Sequence, residues 1–342
     1  MKCRNSVLEL WRFIAALLIM ATHMYNFGYD NYYFRETWMY VEMFLMISGF
    51  FIAKHYDKNT SDNKFKEAVV YTVNKYIPLI IYAAVPTIVA YVIYVYKAFL
   101  NVDYKRVVMS FGGGIADLLL ITDSYQTPLV LPLWYLSAML FVLPLYVLFV
   151  QIKNRYVIIY ISFVYPIMFY GLRGVTGDVG VPYDELRVLA GLMLGALGYE
   201  ISNFYFKKDI TKKQKKVLMI AEQSALCIAT ISLIMHLPLR RANLILLFVG
   251  ITILASGKSL SNEIQNDLCI KLGSLSIFIY IWHWVIGTVI KLMLENNYLL
   301  LGKRSIVVYY SLTLIVAVIH NCISKAMNNP IKKIQAKLLG DL

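Results

Sequence analysis

Residues 7–24, VLELWRFIAALLIMATHM, form an apolar run long enough to cross a membrane as a helix. A helix of this length extends about 27 Å, close to the roughly 30 Å hydrocarbon thickness of a bilayer. The run contains Arg12 and His23, which lie eleven positions apart and return to nearly the same helix face at about 100° per residue. An arginine in a span costs at least about 2.5 kcal/mol, so it normally faces protein or an aqueous cavity. The alternative is that Arg12 reaches the lipid headgroups and His23 lies near the opposite interface.

The composition indicates a protein that crosses the membrane several times, not a soluble domain with a single membrane anchor. Hydrophobic residues make up 59% of the 342 residues and charged residues only 15%, against about 25% in soluble domains. The net charge of +13 could suggest nucleic acid, but Lys and Arg occur in short segments between apolar runs, as topology signals do. We therefore expect no nucleic-acid partner. The four cysteines have neither metal-site nor disulfide spacing, so no metal site is predicted.

The fold class predicted is all-α, a polytopic transmembrane helical bundle that occupies residues 1–342 as one integral-membrane domain. No secretory signal peptide is expected, because Arg12 interrupts the first apolar run and no small-residue cleavage site follows it. About ten spans are predicted, at 7–25, 37–53, 69–96, 129–150, 156–172, 186–204, 217–236, 242–257, 273–293 and 305–325.

The distribution of Lys and Arg predicts the orientation of the bundle. If the N-terminus is cytoplasmic, most loop cations fall on the cytoplasmic side, most densely in the segment 207–216. This bias predicts that both termini are cytoplasmic. The pair Arg240–Arg241, between the seventh and eighth predicted spans, opposes this bias.

The longest predicted external segment, 97–128, contains the sequence FGGGIADLLLITD. Its Gly112–Gly114 run lacks the Lys-Ser/Thr of a phosphate-binding loop, so a nucleotide site is not expected there. Residues 107–122 are apolar enough for a re-entrant or interfacial element, and the sequence leaves that choice open.

Glu42 is the acidic residue that most directly bears on His23. It lies near the outer end of the second run, YVEMFLMISGFFIA, and antiparallel pairing of the first two spans would bring it to the depth of His23. A carboxylate beside a histidine can fix its tautomer and raise its basicity, as a general base requires. The alternative is an interfacial glutamate in water. In the same run, Ser48 and Gly49 permit a close approach between helices.

Three further polar residues lie at membrane depth or beside Arg12. His283, between Trp282 and Trp284, needs a partner or a cavity. Arg187 opens the Gly-rich sixth span and could also be an interfacial anchor. Glu9 precedes Arg12 by three residues and can pair with it on one helix face.

Arg12 and His23, with ten residues between them, resemble the Arg-X10-His signature of acyltransferase family three. Five later runs resemble further segments of that family in the right order, and together they extend to about residue 290. They are VEMFLMISGFFI with Glu42, Phe44, Ser48, Gly49 and Phe50; NKYIPLIIY with Lys75 and Pro78; PLWYLSAMLFVLPLY with Trp134 and Ser137; LRVLAGLMLGALGYE with Arg187; and LGSLSIFIYIWHW with Gly273, Ser276, Tyr280 and His283.

The chain also departs from the family pattern in two places. Met139 stands where a glutamate often follows the Trp-X-X-Ser segment, and Asn328-Asn329-Pro330 replaces a closing Glu-X-Pro. Any role of those acidic groups is therefore absent or moved. The missing C-terminal esterase-like domain of two-part members indicates the short, single-domain subgroup.

The resemblance implies a membrane enzyme that O-acylates extracytoplasmic glycans. We expect transfer of an acyl group, most simply acetyl, from cytoplasmic acyl-CoA as co-substrate. No permanently bound cofactor is expected. The expected location is a cytoplasmic membrane of bacterial type. His23, Arg12 and Glu42 are the predicted catalytic residues. The predicted substrate-binding residues are Glu9, Ser48, Lys75, Trp134, Arg187, Tyr280 and His283.

Two questions stay open at the level of sequence. His23 could act as a general base or could carry the acyl group covalently. A transporter or flippase for a glycan intermediate or another polar solute is the alternative function, because intramembrane charges also mark transport pathways. Besides acyl-CoA, the glycan and membrane lipids, the sequence predicts no partner and does not determine the oligomeric state.

Overall fold

The structure, a computed structural model, describes residues 5–29, 32–58, 62–122, 128–152, 154–176, 183–206, 210–300 and 302–339. These residues are helical or irregular and contain no β-strand. Their α-helices are α1 Ser6–Thr22, α2 Tyr40–Tyr56, α3 Lys64–Leu100, α4 Tyr104–Leu118, α5 Trp134–Val150, α6 Arg155–Leu172, α7 Tyr183–Tyr205, α8 Lys212–Ile234, α9 Arg240–Ser256, α10 Asp267–Gly273, α11 Ser276–Glu295, α12 Lys303–Ala326 and α13 Asn328–Leu339.

Apolar helices of membrane-spanning length confirm that the chain is a multi-pass membrane protein. Seven helical segments of the described residues are long and apolar enough to cross a bilayer: Ser6–Phe27, Lys64–Leu100, Leu131–Val150, Arg155–Leu172, Lys212–Ile234, Ser276–Glu295 and Lys303–Ala326. The other three predicted spans coincide with α2, α7 and α9. The count of ten spans and the cytoplasmic location of both termini stay predictions.

Helix α7, which is not among these seven segments, packs against α2, α5, α6 and α9 inside the bundle. Helix α7 contains Asp184, Arg187 and Glu200, all of them buried inside the protein. By contrast, α12 is mostly exposed and presents apolar side chains such as Ile315 and Ile319 outward. Since lipid solvates apolar side chains and protein can solvate charges, the central helices carry the polar groups from which a site can be built.

Helices α2 and α7 approach each other closely because glycines lie at their contact. A Cβ atom on Gly195 would stand 2.6 Å from the backbone nitrogen of Phe50 and 2.8 Å from Cα of Gly49. A Cβ atom on Gly49 would in turn collide with the Leu192 backbone. These contacts fix α7 against α2 at backbone distance, as small residues do between membrane helices.

Helix α1 is fixed at its start and changes geometry at its end. The Asn5 side chain accepts hydrogen bonds from the backbone nitrogens of Val7 and Leu8, and its amide donates to the Leu254 carbonyl of α9. The α-helix ends at Thr22, and a 3-10 turn, His23–Phe27, follows before Gly28 reverses the chain at φ +91°. His23 therefore lies at the junction of the helix with this turn, one residue beyond the regular α-helix.

The predicted external segment contains a separate helix, α4, which packs beside α3. Asp117 near its end is buried, and its Oδ2 accepts hydrogen bonds from the backbone nitrogens of Leu129 and Val130, both at 2.9 Å. Burial raises the pKa of Asp117 to about 6. This carboxyl group ties α4 to the segment that leads into α5.

The pair Arg240–Arg241, which opposes the charge bias, has local partners. Arg240 donates to both carboxylate oxygens of Glu36, at 2.7 and 2.5 Å, and Arg241 donates to the Gly171 carbonyl. This bidentate ion pair at the start of α9 gives Arg240 a reason to stand there that is independent of topology. The predicted cytoplasmic cations Lys2, Arg4, Lys153, Lys207 and Lys208 lie outside the described residues.

Candidate active site

A cavity of about 290 Å³ opens among α1, α2, α3, α5 and α11, and Arg12 lines it. Its other polar lining residues are Ser48, Tyr71, Lys75, Tyr135, Ser276 and Tyr280. Two cations, Arg12 and Lys75, share this cavity, and the described residues that line it include no carboxylate. Glu9, which pairs with Arg12 from outside the lining, offsets only one of the two positive charges. The cavity therefore keeps a net positive charge that suits an anionic ligand.

Arg12 is held from one side and left open on the other. Its Nη1 donates to both oxygens of Glu9, at 3.1 and 2.9 Å, as the three-residue spacing predicts. Glu9 is buried and its backbone lies against Gly273, where a Cβ atom would collide with it. The Nε and Nη2 groups of Arg12 have no hydrogen-bond partner among the described residues. Glu9 thus positions the guanidinium while two donor groups stay free for a ligand.

Two neighbouring imidazoles, the fully buried His283 and the partly exposed His23, form the second part of the candidate site. The ring centroids of His23 and His283 are 5.0 Å apart, and the Trp284 ring lies 5.6 Å from that of His23. His283 is fully buried, and its Nδ1 lies 3.3 Å from the Ile279 carbonyl oxygen. Because that oxygen can only accept, this contact favours the tautomer with the proton on Nδ1.

The imidazole pair retains nitrogens without partners. Within the described part of the chain, Nδ1 of His23 and Nε2 of His283 are buried and have no hydrogen-bond partner. Buried polar atoms are usually satisfied, so unsatisfied ones need an explanation. Two such nitrogens on neighbouring rings mark a place where a polar ligand atom or a proton can bind.

Tyr280 connects the two parts. It lines the Arg12 cavity, and its ring centroid lies 5.7 Å from that of His283. Its hydroxyl donates to the Pro132 carbonyl at 2.8 Å. One aromatic side chain therefore separates the guanidinium cavity from the imidazole pair.

Arg12 and His23, predicted to lie on one helix face, do not line a common cavity among the described residues of the structure. Ala15, Ala16 and Ile19, which lie between them on the helix face, are at most 1% exposed. The face therefore points into protein rather than lipid, but it is closed by packing. His23 is absent from the residues that line the Arg12 cavity. Small and β-branched side chains pack tightly there, so the described residues leave no open path along this face.

The expected contact between Glu42 and His23 is also corrected. Oε1 of Glu42 accepts from Arg187 Nε at 2.6 Å, and Oε2 accepts from the Tyr170 hydroxyl at 2.6 Å. A fully buried guanidinium requires a carboxylate close by, and the tight packing of α2 on α7 supplies it. His283 rather than Glu42 is the polar group beside His23.

Arg187 and Trp134, two predicted substrate-binding residues, belong to this ion-pair cluster. The Arg187 guanidinium lies between the rings of Trp38 and Trp134, 4.9 and 5.0 Å from their centroids. Arg187 is 2% exposed and Glu42 fully buried. Protein encloses the cluster, which favours a structural role, and the buried Nη2 of Arg187 has no hydrogen-bond partner among the described residues. Neither Trp38 nor Tyr170 was expected from the sequence, since an aromatic residue near a span end is too common to be a signal.

The remaining predicted binding residues lie around the Arg12 cavity. Ser48 and Tyr280 line it directly, and the Lys75 ammonium stands 5.5 Å from the centroid of the Tyr71 ring. The structure thus divides the predicted residues into three groups: the cavity around Arg12, the imidazole pair and the ion-pair cluster of Glu42.

A family model described as an acyltransferase domain, that of acyltransferase family three, matches residues 5–322. The chain belongs to acyltransferase family three. The match includes the cavity, the imidazole pair and the ion-pair cluster, and it makes the chain a membrane acyltransferase. No characterised protein and no solved structure matches the chain significantly.

Proposed function

We propose that this acyltransferase moves an acyl group, acetyl in the simplest case, from cytoplasmic acyl-CoA to a hydroxyl of an extracytoplasmic or lipid-linked polysaccharide. The observation that carries the proposal is the unsatisfied His23–His283 pair, separated by Tyr280 from a cavity that holds Arg12. Imidazole nitrogens can move a hydroxyl proton, and a guanidinium can bind the donor. The imidazoles that would move the proton and the guanidinium that would bind the donor lie in neighbouring parts of the site, as acyl transfer requires.

The Arg12 cavity is the proposed donor site. With the predicted topology, Arg12 lies toward the cytoplasmic end of α1, where CoA is available. A guanidinium suits a phosphate oxygen or the oxygen of a thioester on which negative charge develops. Lys75 adds a second cation, and Ser48 and Tyr135 add hydroxyl groups to the same cavity. Glu9 keeps Arg12 in place from behind.

His23 is the proposed general base for the acceptor. It takes the proton of the acceptor hydroxyl while that oxygen bonds to the thioester carbonyl carbon, and the carbon–sulfur bond then breaks. The proton passes to the departing CoA sulfur, so the products are a glycan ester and free CoA thiol. His283, the neighbouring imidazole, takes the positioning role that the sequence assigns to Glu42. In the alternative route His23 first carries the acyl group itself.

The test uses purified protein in vesicles with acetyl-CoA labelled in the acetyl group and a polysaccharide extract of the cells that express it. We expect hydroxylamine-labile label in the polysaccharide with the wild type. Arg12→Ala and His23→Ala should each lower that rate at least about 100-fold, the usual range for loss of a general base. Arg304→Ala is the matched control for Arg12→Ala at an exposed position and should retain activity.

Each contrary result has a definite meaning. Full activity in both Arg12→Ala and His23→Ala would overturn the site. Movement of glycan across the vesicle membrane without consumption of acetyl-CoA would favour the transporter alternative. Label that stays on denatured wild-type protein, and is missing from His23→Ala, would establish the acyl-enzyme route over direct transfer.

A further inference from the structure

A second polar cavity lies beside the imidazole pair. The C-terminal ends of α3 and α11, the start of α4 and the turn after His23 enclose about 440 Å³. Its polar lining includes Asn26, Tyr94, Lys97, Arg106, Lys291 and Glu295. With the predicted topology these helix ends are on the extracytoplasmic side, opposite the start of α1. We call this space the outer cavity.

The outer cavity carries more positive than negative charge. Lys97, Arg106 and Lys291 line it, and Glu295 is the carboxylate among its described lining residues. The Lys97 ammonium forms an ion pair with the Glu295 carboxylate, with 2.9 Å between Nζ and Oε2. Arg106 and Lys291 have no carboxylate partner among the described residues, and both are exposed. Two solvated cations therefore stand at this cavity without a counter-charge.

The nearby acidic residues are already engaged elsewhere. Asp103, which lines an adjoining space together with Arg106, accepts a hydrogen bond from the backbone nitrogen of Arg106 at the start of α4. Asp117 accepts from the backbone of Leu129 and Val130. Their side chains cap and anchor the chain, and among the described residues neither forms an ion pair with Arg106 or Lys291.

One aromatic layer separates the outer cavity from His23. Asn26 belongs to the same 3-10 turn as His23. Thr288, another lining residue, donates to the carbonyl of Trp284, whose ring lies against His23. Tyr94 lies beside the Trp284 side chain. A ligand in the outer cavity is thus next to the proposed general base, on the side from which an external acceptor would arrive.

We infer that the outer cavity is the acceptor subsite and that it binds an anionic group of the glycan, either a uronate carboxylate or the phosphate of a lipid carrier. Arg106 and Lys291 bind the anion, and the hydroxyl to be acylated points toward His23. This inference rests on the proposed function for the chemistry that follows binding. It adds the class of acceptor, an acidic rather than a neutral glycan.

Binding tests the inference separately from catalysis. Full-length protein in phosphatidylcholine nanodiscs is titrated, without acyl-CoA, with fluorescent oligogalacturonate and with its methyl ester. A second pair of probes is farnesyl-diphosphate-linked N-acetylglucosamine and the neutral farnesyl glycoside. We expect the anionic member of one pair to bind at least about tenfold tighter than its neutral partner, since a charged hydrogen bond contributes that much. The probe pair whose anionic member binds more tightly shows whether the anion is a carboxylate of the glycan or a phosphate of the lipid carrier.

Variants of Arg106 and Lys291 test whether these two side chains bind the anion. Lys291→Gln and Arg106→Gln should each weaken the anionic probe about tenfold and leave the neutral probe unchanged. Lys291→Arg should restore most of the affinity, which excludes misfolding as the cause. Lys303→Gln, at an exposed position outside the cavity, is the matched control and should bind as the wild type.

Three results would overturn the inference: equal binding within both probe pairs, unchanged affinity in Lys291→Gln and Arg106→Gln, or complete displacement of the glycan probes by phosphatidylglycerol in the nanodisc. The last result would assign the cavity to lipid. If the anionic probe binds as expected but no acetyl-CoA is consumed, the subsite stands and the proposed function fails. If neutral and acidic glycans are acetylated equally, the function stands and the subsite fails.

Discussion

Glu42 and Arg187 form the most deeply buried pair of opposite charges in the described part of the chain. Their side chains are 0% and 2% exposed, and Tyr170, Trp38 and Trp134 complete the enclosure. Inside a protein, removal of one member of such a pair leaves a charge without compensation. The same two residues match family motifs, so the question at this scale is whether they act on stability or on chemistry.

Glu42→Gln should lower the free energy of unfolding by about 3–5 kcal/mol, because it leaves the Arg187 guanidinium buried without a counter-charge. Arg187→Met should be similarly destabilising, and the double variant should lose less than the sum of the two. Thermal unfolding in detergent provides the measurement. Glu263→Gln breaks an exposed ion pair with Lys215 and should unfold as the wild type does. Wild-type stability combined with lost activity in Glu42→Gln would instead return Glu42 to the catalytic site.

At the scale of helices, the site depends on which helices are neighbours. Helix α1 ends at Thr22, so His23 begins a different turn, and α11 brings His283 to it from a distant part of the chain. Glycines bring α7 into close contact with α2, and Arg187 of α7 therefore pairs with Glu42 of α2. The close contact of α2 and α7 thus determines that the carboxylate serves the ion pair and not the imidazole.

Gly195→Ala should destabilise the bundle by more than about 1–3 kcal/mol, the usual cost of overpacking, because the new methyl group would meet backbone atoms that cannot rotate away. Gly171→Ala is the matched control, since a Cβ atom there has nothing within 4 Å. The control should be neutral or slightly stabilised in a helix. The measurement is the free energy of unfolding of both variants in detergent. Equal stability of the two would mean that α2 and α7 do not touch as closely as described.

At the scale of the whole molecule, the function we propose requires that reactants from opposite sides of a membrane meet within the bundle. The Arg12 cavity and the outer cavity lie on opposite sides of the imidazole pair, with Tyr280 on one side and Trp284 on the other. The face of α1 between Arg12 and His23 is closed by packing. Such a barrier is consistent with transfer of a small acyl group rather than passage of a whole glycan.

Orientation is testable on the intact protein. In a variant without cysteines, single cysteines at Tyr298 and Lys303 should react with a membrane-impermeant maleimide on intact cells. Cysteines at Lys58 and Lys332 should react only after permeabilisation, because the excess of Lys and Arg keeps their segments cytoplasmic. Labelling of Lys58→Cys and Lys332→Cys from outside would reverse the topology and place the Arg12 cavity on the external side.

The sequence by itself determined the features that lie within one helix. Apolar runs located the helices, and the three-residue spacing of Glu9 and Arg12 predicted their ion pair. Helical periodicity also predicted that the face from Arg12 to His23 points into protein, since Ala15 and Ile19 on it are buried. Within a helix, geometry follows from the number of residues between two positions, and the sequence contains that number.

Only the tertiary structure decided which side chains from different helices meet. Glu42 could reach His23 or Arg187 by depth alone, and the pairing of α2 with α7 selected Arg187. His283 could have faced any neighbour, and the contact of α11 with the end of α1 placed it beside His23. Helix neighbours are set by the fit of many small contacts over whole surfaces, and no spacing along a single chain contains that information.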